Sequence, residues 1–212
     1  MDEAAAARRQ VFVDAAREAF FANGYAGTTM SSIASTVGGS KTTLWTYFPS
    51  KEMLFAAVVD DIVEQYARVQ DVDLRDTDDL RGVLLEFVRA LMDTILSPPI
   101  IALHRLVLAE ASRFPYLAEA FYERGPRRGK ARLSEFVGRA MERGQLRAGD
   151  PMLATRQLAG MCQAGCFQSA LFNLDEPSGQ ADLEFEMSEA VDSFLRAWSL
   201  QPRDAAPDLA SS

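Results

Sequence analysis

Residues 11–54 read VFVDAAREAFFANGYAGTTMSSIASTVGGSKTTLWTYFPSKEML, and this stretch decides the fold of the chain. Gly24 is a typical end for a first long helix, since glycine readily adopts the left-handed conformation that closes a helix. Gly38 begins a turn between two short segments, residues 30–37 and 41–47, whose apolar residues have helical spacing. The pattern therefore predicts a long helix followed by two short helices joined by a tight turn, which is a helix-turn-helix.

The second short segment has two chemically different faces. Leu44 and Phe48 lie one turn apart and are suited to a core. The opposite face carries a cation, hydroxyl groups and aromatic rings: Lys41, Thr42 and Trp45, flanked by Thr43 and Tyr47. Such groups suit the phosphates and base edges of a DNA major groove. An ordinary helical hairpin with a polar solvent face is the alternative, but it has little use for two exposed aromatic rings.

The rest of the chain is predicted to be all-α. Helical periodicity extends over residues 4–23, 51–69, 78–96, 100–113, 127–144, 151–174 and 181–200, which with the two short helices makes about nine helices. We expect a DNA-binding domain at 1–50 and a helical ligand-binding and dimerisation bundle at 51–200. The polar tail 201–212 is rich in Pro, Asp and Ser, and we expect it to be disordered.

The charge of the chain argues against nucleic acid at first sight. Its 212 residues include 22 Lys and Arg against 30 Asp and Glu, a net charge of −8. Residues 1–55, however, contain five basic and five acidic side chains, so the whole excess lies outside the helix-turn-helix. We therefore expect a neutral DNA-binding region with few phosphate contacts and an acidic body that repels non-specific DNA.

Several other classes are disfavoured. No apolar run approaches the ~18 residues of a membrane span, and the amino terminus lacks the charge order of a signal peptide. The first observation predicts no membrane partner, and two cysteines without a disulfide pattern predict a cytoplasmic protein. A single histidine and no recognisable catalytic pattern predict no enzyme activity, metal or cofactor. The basic cluster at residues 124–132 could be a second nucleic-acid patch, but we expect a solvated turn and helix face.

Ordered motifs make residues 11–54 similar to the DNA-binding domain of the TetR family of bacterial transcriptional regulators. They are AA-x-x-x-F-x-x-x-G-Y ending at Gly24-Tyr25, Thr28-Thr29, Ile33-Ala34, Gly38-x-Ser40-Lys41, Thr43-Leu44, Tyr47-Phe48 and Ser50-Lys51-Glu52. The second half resembles the ligand-binding domain of one common subgroup, through Glu110-Ala111-x-x-Phe114-Pro115 and Gly144-x-Leu146-Arg147-x-x-Asp150-Pro151.

The resemblance implies roles for individual residues. Lys41, Thr42 and Trp45 would read bases, Thr43, Tyr47 and Lys51 would hold phosphates, and Thr29, Ser31 and Ser40 would complete the DNA-binding set. Four positions depart from the family pattern: Ser31 replaces a frequent Arg, Ser32 an acidic residue, Gly39 a valine and Trp45 a tyrosine. The Ser32 departure is expected to weaken the capping box begun by Thr29, the N-cap of the first short helix.

The resemblance also implies a homodimer that binds a palindromic double-stranded operator, with an unknown small-molecule inducer. Helices 151–174 and 181–200 would form the interface through Leu158, Met161, Phe167, Leu171, Phe194 and Trp198, although these helices could instead close the core of one subunit. An inducer would contact His104, Arg105 and Leu108, although a lone histidine is also common as a satisfied surface residue. Cys162 and Cys166, four residues apart on one predicted helix, are expected to pack in an apolar core.

The sequence thus predicts a ligand-responsive regulator of the repressor type, which a small apolar inducer would release from its operator. The alternative is a small-molecule binding or scaffold protein of the same fold that lacks specific DNA recognition, which the departures at Ser31 and Gly39 would favour. A comparison of specific with random DNA would separate the two.

Overall fold

A computed structural model describes residues 3–38, 41–67, 71–174 and 180–200. These residues form eleven helices and no strand, so the all-α prediction is confirmed. The helices are α1 Glu3–Gly27, α2 Met30–Thr36, α3 Lys41–Tyr47, α4 Lys51–Tyr66, α5 Leu80–Ile95, α6 Pro98–Glu110, α7 Pro115–Arg124, α8 Pro126–Glu142, α9 Pro151–Gln163, α10 Cys166–Phe172 and α11 Gln180–Trp198. Ser40, Gly39 and the tail 201–212 lie outside the described residues.

Two compact units divide the described residues. The first comprises those within 1–71, 90–129 and 165–176, and the second those within 72–89, 130–164 and 180–200. In the first unit α1 packs against both α4 and α6. Contacts there continue across residue 50, and the domain boundary predicted at that point stays a prediction.

Aromatic side chains hold the first unit together. Phe12, Phe20, Leu44 and Phe55 are completely buried, and each such side chain contributes roughly 1.5–3 kcal/mol through loss of apolar surface. The ring of Phe20 lies 5.4 Å from that of Tyr25 and 5.8 Å from that of Phe55. The helix-turn-helix is therefore built on a core that α1 and α4 share.

A reciprocal cap fixes the start of α2. The Thr29 hydroxyl accepts from the backbone N–H of Ser32 at 3.0 Å, and the Ser32 hydroxyl accepts from the backbone N–H of Thr29 at 3.2 Å. The expectation that Ser32 weakens this capping box was wrong, because a serine hydroxyl also reaches the N-cap amide. Both first-turn donors are satisfied without an acidic side chain.

Arginines organise the second unit. Arg81 forms two hydrogen bonds to Asp192, and Arg89 pairs with Glu184, so that α5 is bound to α11. Arg132, Arg139 and Arg143 of α8 donate to the main-chain carbonyls of Val72, Leu74 and Thr77. Arg139 also hydrogen-bonds Asp76 and thereby holds the pKa of that carboxyl below its usual range. These contacts fix the extended segment that precedes α5.

Two helices differ from the predicted pattern. The predicted helix 151–174 is broken at Gly165, whose φ of 91° is unavailable to an α-helix, so Cys162 and Cys166 lie on α9 and α10 rather than on one helix. Helix α7 was not predicted, because Pro115 was interpreted as a break. It instead occupies the first turn, where its missing N–H costs nothing.

No single helix among the described residues is long and apolar enough to cross a membrane. Helices α5 and α6, which are bent by 64° at the break between them, pass that test of length and composition only as a pair.

Candidate nucleic-acid interface and effector site

Helix α3 presents the predicted face to solvent. Leu44 and Phe48 are buried beneath it, at 0% and 2% exposure, whereas Lys41, Thr42 and Trp45 are exposed. Trp45 keeps 47% of its surface accessible, which is unusual for so large an apolar ring. The two buried anchors fix the rotation of the short helix, so the cation, the hydroxyl and the indole project together.

The flanking residues of the predicted DNA-binding set are less accessible. Thr43 and Tyr47 are half-buried, and the Tyr47 ring lies 6.0 Å from that of Phe12 on α1. Ser31 is half-buried on α2, and the Thr29 hydroxyl is engaged in the capping box. Thr29 itself is exposed, and the DNA contacts of these four residues stay a prediction.

Lys51 makes contacts within the chain that the sequence did not predict. Its ammonium donates to the carbonyl oxygens of Tyr25 and Thr28, each at 2.8 Å, and lies 4.1 Å from the centre of the Tyr25 ring. Burial lowers the pKa of Lys51, and the nearby carboxylates of Glu52 and Glu110 partly oppose that effect. Two of the three ammonium donors thus fasten the start of α4 to the end of α1, and the assignment of Lys51 as a phosphate ligand stays a prediction.

The same turn is bound from a second side by α6. Glu110, the last residue of α6, accepts a hydrogen bond from the backbone N–H of Ala26 at 2.9 Å. Gly24, with φ of 72°, makes room for this contact, because a Cβ atom there would lie 3.0 Å from the Glu110 carboxylate. Neither contact has a sequence signal, since 84 residues separate Glu110 from Ala26. Residues 24–28 are thus joined to both α4 and α6.

The three predicted inducer contacts have different surroundings. His104 lies between the rings of Phe121 and Phe167, at 4.6 and 5.1 Å, and burial lowers its pKa. Its Nδ1 is 2.9 Å from the carbonyl oxygen of Ile100, which can only accept, so Nδ1 carries the proton and Nε2 can accept a hydrogen bond from a ligand.

Arg105 and Leu108 do not line an enclosed site. Arg105 donates to the carbonyl oxygens of Ala170 and Leu171, at 2.6 and 2.9 Å, and so caps the end of α10. Leu108 is 67% exposed. These side chains serve a helix end and the surface, and their contact with an inducer stays a prediction. Only His104 keeps an environment suited to a ligand.

The six predicted dimer residues differ in their burial within the subunit. Leu158, Phe194 and Trp198 are buried within the subunit, at 1%, 0% and 2% exposure, so the prediction that they face a partner was wrong. The Trp198 indole N–H donates to Gln157 at 2.9 Å and ties α11 to α9. Met161 is 37% exposed, and Phe167 and Leu171 are half-buried on α10. Their contact with a partner stays a prediction.

Two further apolar side chains on α9 and α11 are exposed, and they were not predicted from the sequence. Leu153 on α9 is 41% exposed and Phe185 on α11 is 66% exposed. Above Gly160 there is open space, since no atom lies within 4 Å of a Cβ placed there. The alternation of buried and exposed residues along α9 could have identified Leu153, but the sequence does not say which face is the outer one.

The basic cluster at residues 124–132 is engaged in local ion pairs and hydrogen bonds. Arg124 pairs with Asp60 at 2.9 Å, and Arg127 pairs with Glu123 at 2.6 Å. The cluster thus has local partners and an exposed edge, as the sequence indicated. Within the described residues, no group of three or more potential ligands could hold a metal ion.

A buried-core helix-turn-helix with an exposed cationic and aromatic α3, attached to a helical bundle, defines a DNA-binding regulator. Residues 12–58 match the family of bacterial regulatory proteins named tetR, and residues 82–199 match the C-terminal domain of AefR-like transcriptional repressors. The chain belongs to the TetR family of transcriptional regulators.

Solved structures agree with this assignment. A protein from Mesorhizobium loti classed as a TetR-family regulator is 31% identical, with a TM-score of 0.80 over 92% of this chain and 98% of its own. The flavonoid-responsive regulator FrrA is 30% identical, with a TM-score of 0.82 over 93% and 100%. The regulator RutR of Escherichia coli K12 is 41% identical over 61 residues, which span 29% of each chain.

Substitutions on α3 should separate base recognition from phosphate binding. Trp45→Ala or Lys41→Ala should change which operator bases are preferred, at about 1–3 kcal/mol per lost base contact in each subunit. Tyr47→Phe should weaken binding to all sequences about equally. Gel-shift titrations on operator and random duplexes measure both effects, with exposed Thr46→Ala as the control. Equal losses on both duplexes for every variant would contradict this division.

Proposed function

We propose that the chain is a repressor that binds a palindromic double-stranded operator as a homodimer and is released by a small inducer. The observation that carries the proposal is the exposed α3 face, with Lys41, Thr42 and Trp45 held outward by buried Leu44. The match of residues 82–199 to repressor C-terminal domains supports the sign of regulation. A repressor of this type acts in the cytoplasm, where its DNA is.

The dimer in this proposal forms through α9 and α11. These helices pack together in one unit and leave Leu153, Met161 and Phe185 exposed. Two copies joined there would make a four-helix interface that buries these side chains. A symmetric dimer would present two α3 helices to half-sites ~34–36 Å apart, which is why the operator is expected to be palindromic.

The inducer in this proposal is a planar aromatic molecule with a hydroxyl group. The rings of Phe121 and Phe167 offer edge-to-face contacts, and Nε2 of His104 offers an acceptor for the hydroxyl proton. FrrA is flavonoid-responsive by name and similar to this chain over most of both lengths. Flavonoids, which are polyphenols with planar aromatic rings, are therefore the first compounds to test.

Helix α6 is the proposed route from inducer to DNA. It carries His104, and Glu110 at its end holds the backbone of Ala26 in the turn that precedes α2. A ligand that displaces α6 would shift this turn and, with it, the separation of the two α3 helices. Inducer and operator would then weaken each other's binding by the same factor.

The decisive experiment is a gel shift on a palindromic fragment from the neighbouring promoter, compared with a random duplex of equal length at several salt concentrations. Preference for the palindrome, lost on addition of a flavone or flavanone, would support the whole proposal. Equal affinity for both duplexes would favour the scaffold alternative. Preference without a flavonoid response would support the repressor and exclude this inducer class.

Glu110→Ala should uncouple inducer from operator. We expect the ratio of operator affinities without and with a saturating flavonoid to fall towards one, from the 5–150-fold typical of allosteric coupling. The Ala26 amide should also exchange its hydrogen faster, which needs no inducer. Glu110→Gln is the matched control, because its amide oxygen can still accept the Ala26 hydrogen bond. Unchanged coupling in Glu110→Ala would show that α6 acts through another contact.

A further inference from the structure

Few cations of the helix-turn-helix region are available to DNA. Residues 1–55 contain five, of which Arg17 pairs with Asp61 at 3.0 Å and Lys51 is bound to backbone carbonyls. Arg8, Arg9 and Lys41 have no ion pair among the residues that the structure describes. Because this region has no net charge, these cations without an internal ion pair are candidates for contacts with DNA.

Arg8 and Arg9 are held in place by aromatic rings. The guanidinium carbon of Arg9 lies 4.9 Å from the ring centre of Phe48, and that of Arg8 lies 5.8 Å from the ring centre of Phe12. A cation over an aromatic face is attracted to it while its N–H groups stay free at the edges. Both side chains are therefore restricted in conformation and still able to donate.

These rings connect the arginines to the recognition helix. Phe48 directly follows α3, and the ring of Phe12 lies 6.0 Å from that of Tyr47, the last residue of α3. The second turn of α1 thus places two guanidinium groups beside the carboxyl end of α3. Phosphate oxygens line the edges of any major groove that α3 would enter, and a guanidinium group beside α3 is suited to donate to them.

We propose that Arg8 and Arg9 form a phosphate clamp, a second DNA contact that binds backbone oxygens flanking the groove occupied by α3. The clamp rests on the proposed DNA binding and adds two cations per subunit to the single Lys41 of the α3 face. Arginine suits this role because its planar fork can donate two parallel hydrogen bonds to one phosphate. The clamp contributes affinity and register, and it reads no bases.

The double variant Arg8→Ala/Arg9→Ala tests the clamp through the salt dependence of binding. Four phosphate contacts are lost from a dimer, so the slope of log Kobs against log salt should become shallower by about 3 to 4. Affinity at 0.1 M salt should fall about tenfold or more, equally for operator and random duplexes. The midpoint of thermal unfolding should fall by only a few degrees, because the variant loses two cation–ring contacts and no core side chain.

Two further variants make the result specific. Arg127→Ala/Arg128→Ala removes the same charge from α8 and should leave the slope unchanged. Arg8→Lys/Arg9→Lys keeps the charge on α1 and should retain most of the wild-type slope. A wild-type slope in the double alanine variant would overturn the clamp, as would a loss confined to the operator, which would indicate base reading. Wild-type protein that binds neither duplex would overturn the proposed function itself, and the clamp with it.

Discussion

Lys51→Met should lower the free energy of unfolding by about 3 kcal/mol, although Lys51 was predicted from the sequence to be a DNA contact. The substitution keeps the aliphatic chain but removes the ammonium that binds the carbonyl oxygens of Tyr25 and Thr28 and lies over the Tyr25 ring. Hydrogen bonds from a charged donor contribute ~1.5–3 kcal/mol, and the ring contact adds ~0.5–1 kcal/mol. Urea unfolding followed by circular dichroism, at one protein concentration, measures the change.

Lys41→Met is the matched control for this experiment. Lys41 is exposed on α3, so its loss should change stability by no more than ~0.5 kcal/mol while reducing DNA affinity. Loss of Lys51 should therefore lower stability, whereas loss of Lys41 should lower DNA affinity and leave stability nearly unchanged. Lys51→Met with unchanged stability and weakened DNA binding would contradict the structural role of Lys51 and support its assignment as a phosphate ligand.

Gly160→Glu should dissociate the proposed dimer without unfolding the subunit. Nothing lies within 4 Å of a Cβ at this position, and replacing glycine inside a helix gains roughly 0.5–1 kcal/mol of stability. In a four-helix interface the introduced glutamate would place its carboxylate against the partner subunit. The cost of desolvating that charge would oppose dimer formation. Operator affinity should fall about 10²–10⁴-fold, because the two half-sites would no longer be bound by two subunits of one dimer.

Sedimentation of the free protein and gel shifts on the palindrome measure the two consequences separately. Ser112→Glu introduces the same charge at an exposed turn outside α9 and α11, and it should leave the sedimentation of the protein unchanged. A Gly160→Glu protein that sediments as a dimer would place the interface elsewhere. A wild-type protein that sediments as a monomer would exclude the dimer in the proposal.

The five cations of residues 1–55 differ in their contacts within the chain. Of the five cations in residues 1–55, Arg17 and Lys51 serve the fold, and Arg8, Arg9 and Lys41 are available to DNA. A counterion count from the sequence alone would include all five. The expected salt dependence of DNA binding is therefore smaller than the sequence implies.

The prolines explain why some helix boundaries were predicted incorrectly from the local sequence pattern. Pro98, Pro115, Pro126 and Pro151 are the first residues of α6, α7, α8 and α9. Proline was interpreted mainly as a break, which displaced the predicted start of α6 by two residues and concealed α7. Since the first turn of a helix has unpaired N–H groups in any case, proline opens these helices at no cost. The break at Gly165 was missed, because a lone glycine within an apolar helical pattern does not by itself predict the end of a helix.

The sequence by itself determined the helix-turn-helix, the all-α class and the outward face of α3. These features depend on interactions within a few residues, namely caps, glycine turns and the spacing of Leu44 and Phe48. Only the tertiary structure decided the role of Lys51, the joining of Glu110 to the turn at Ala26, the burial of Trp198 and the availability of Arg8 and Arg9. Each of these depends on which distant atoms a side chain meets, and a pattern along the chain contains no information about that.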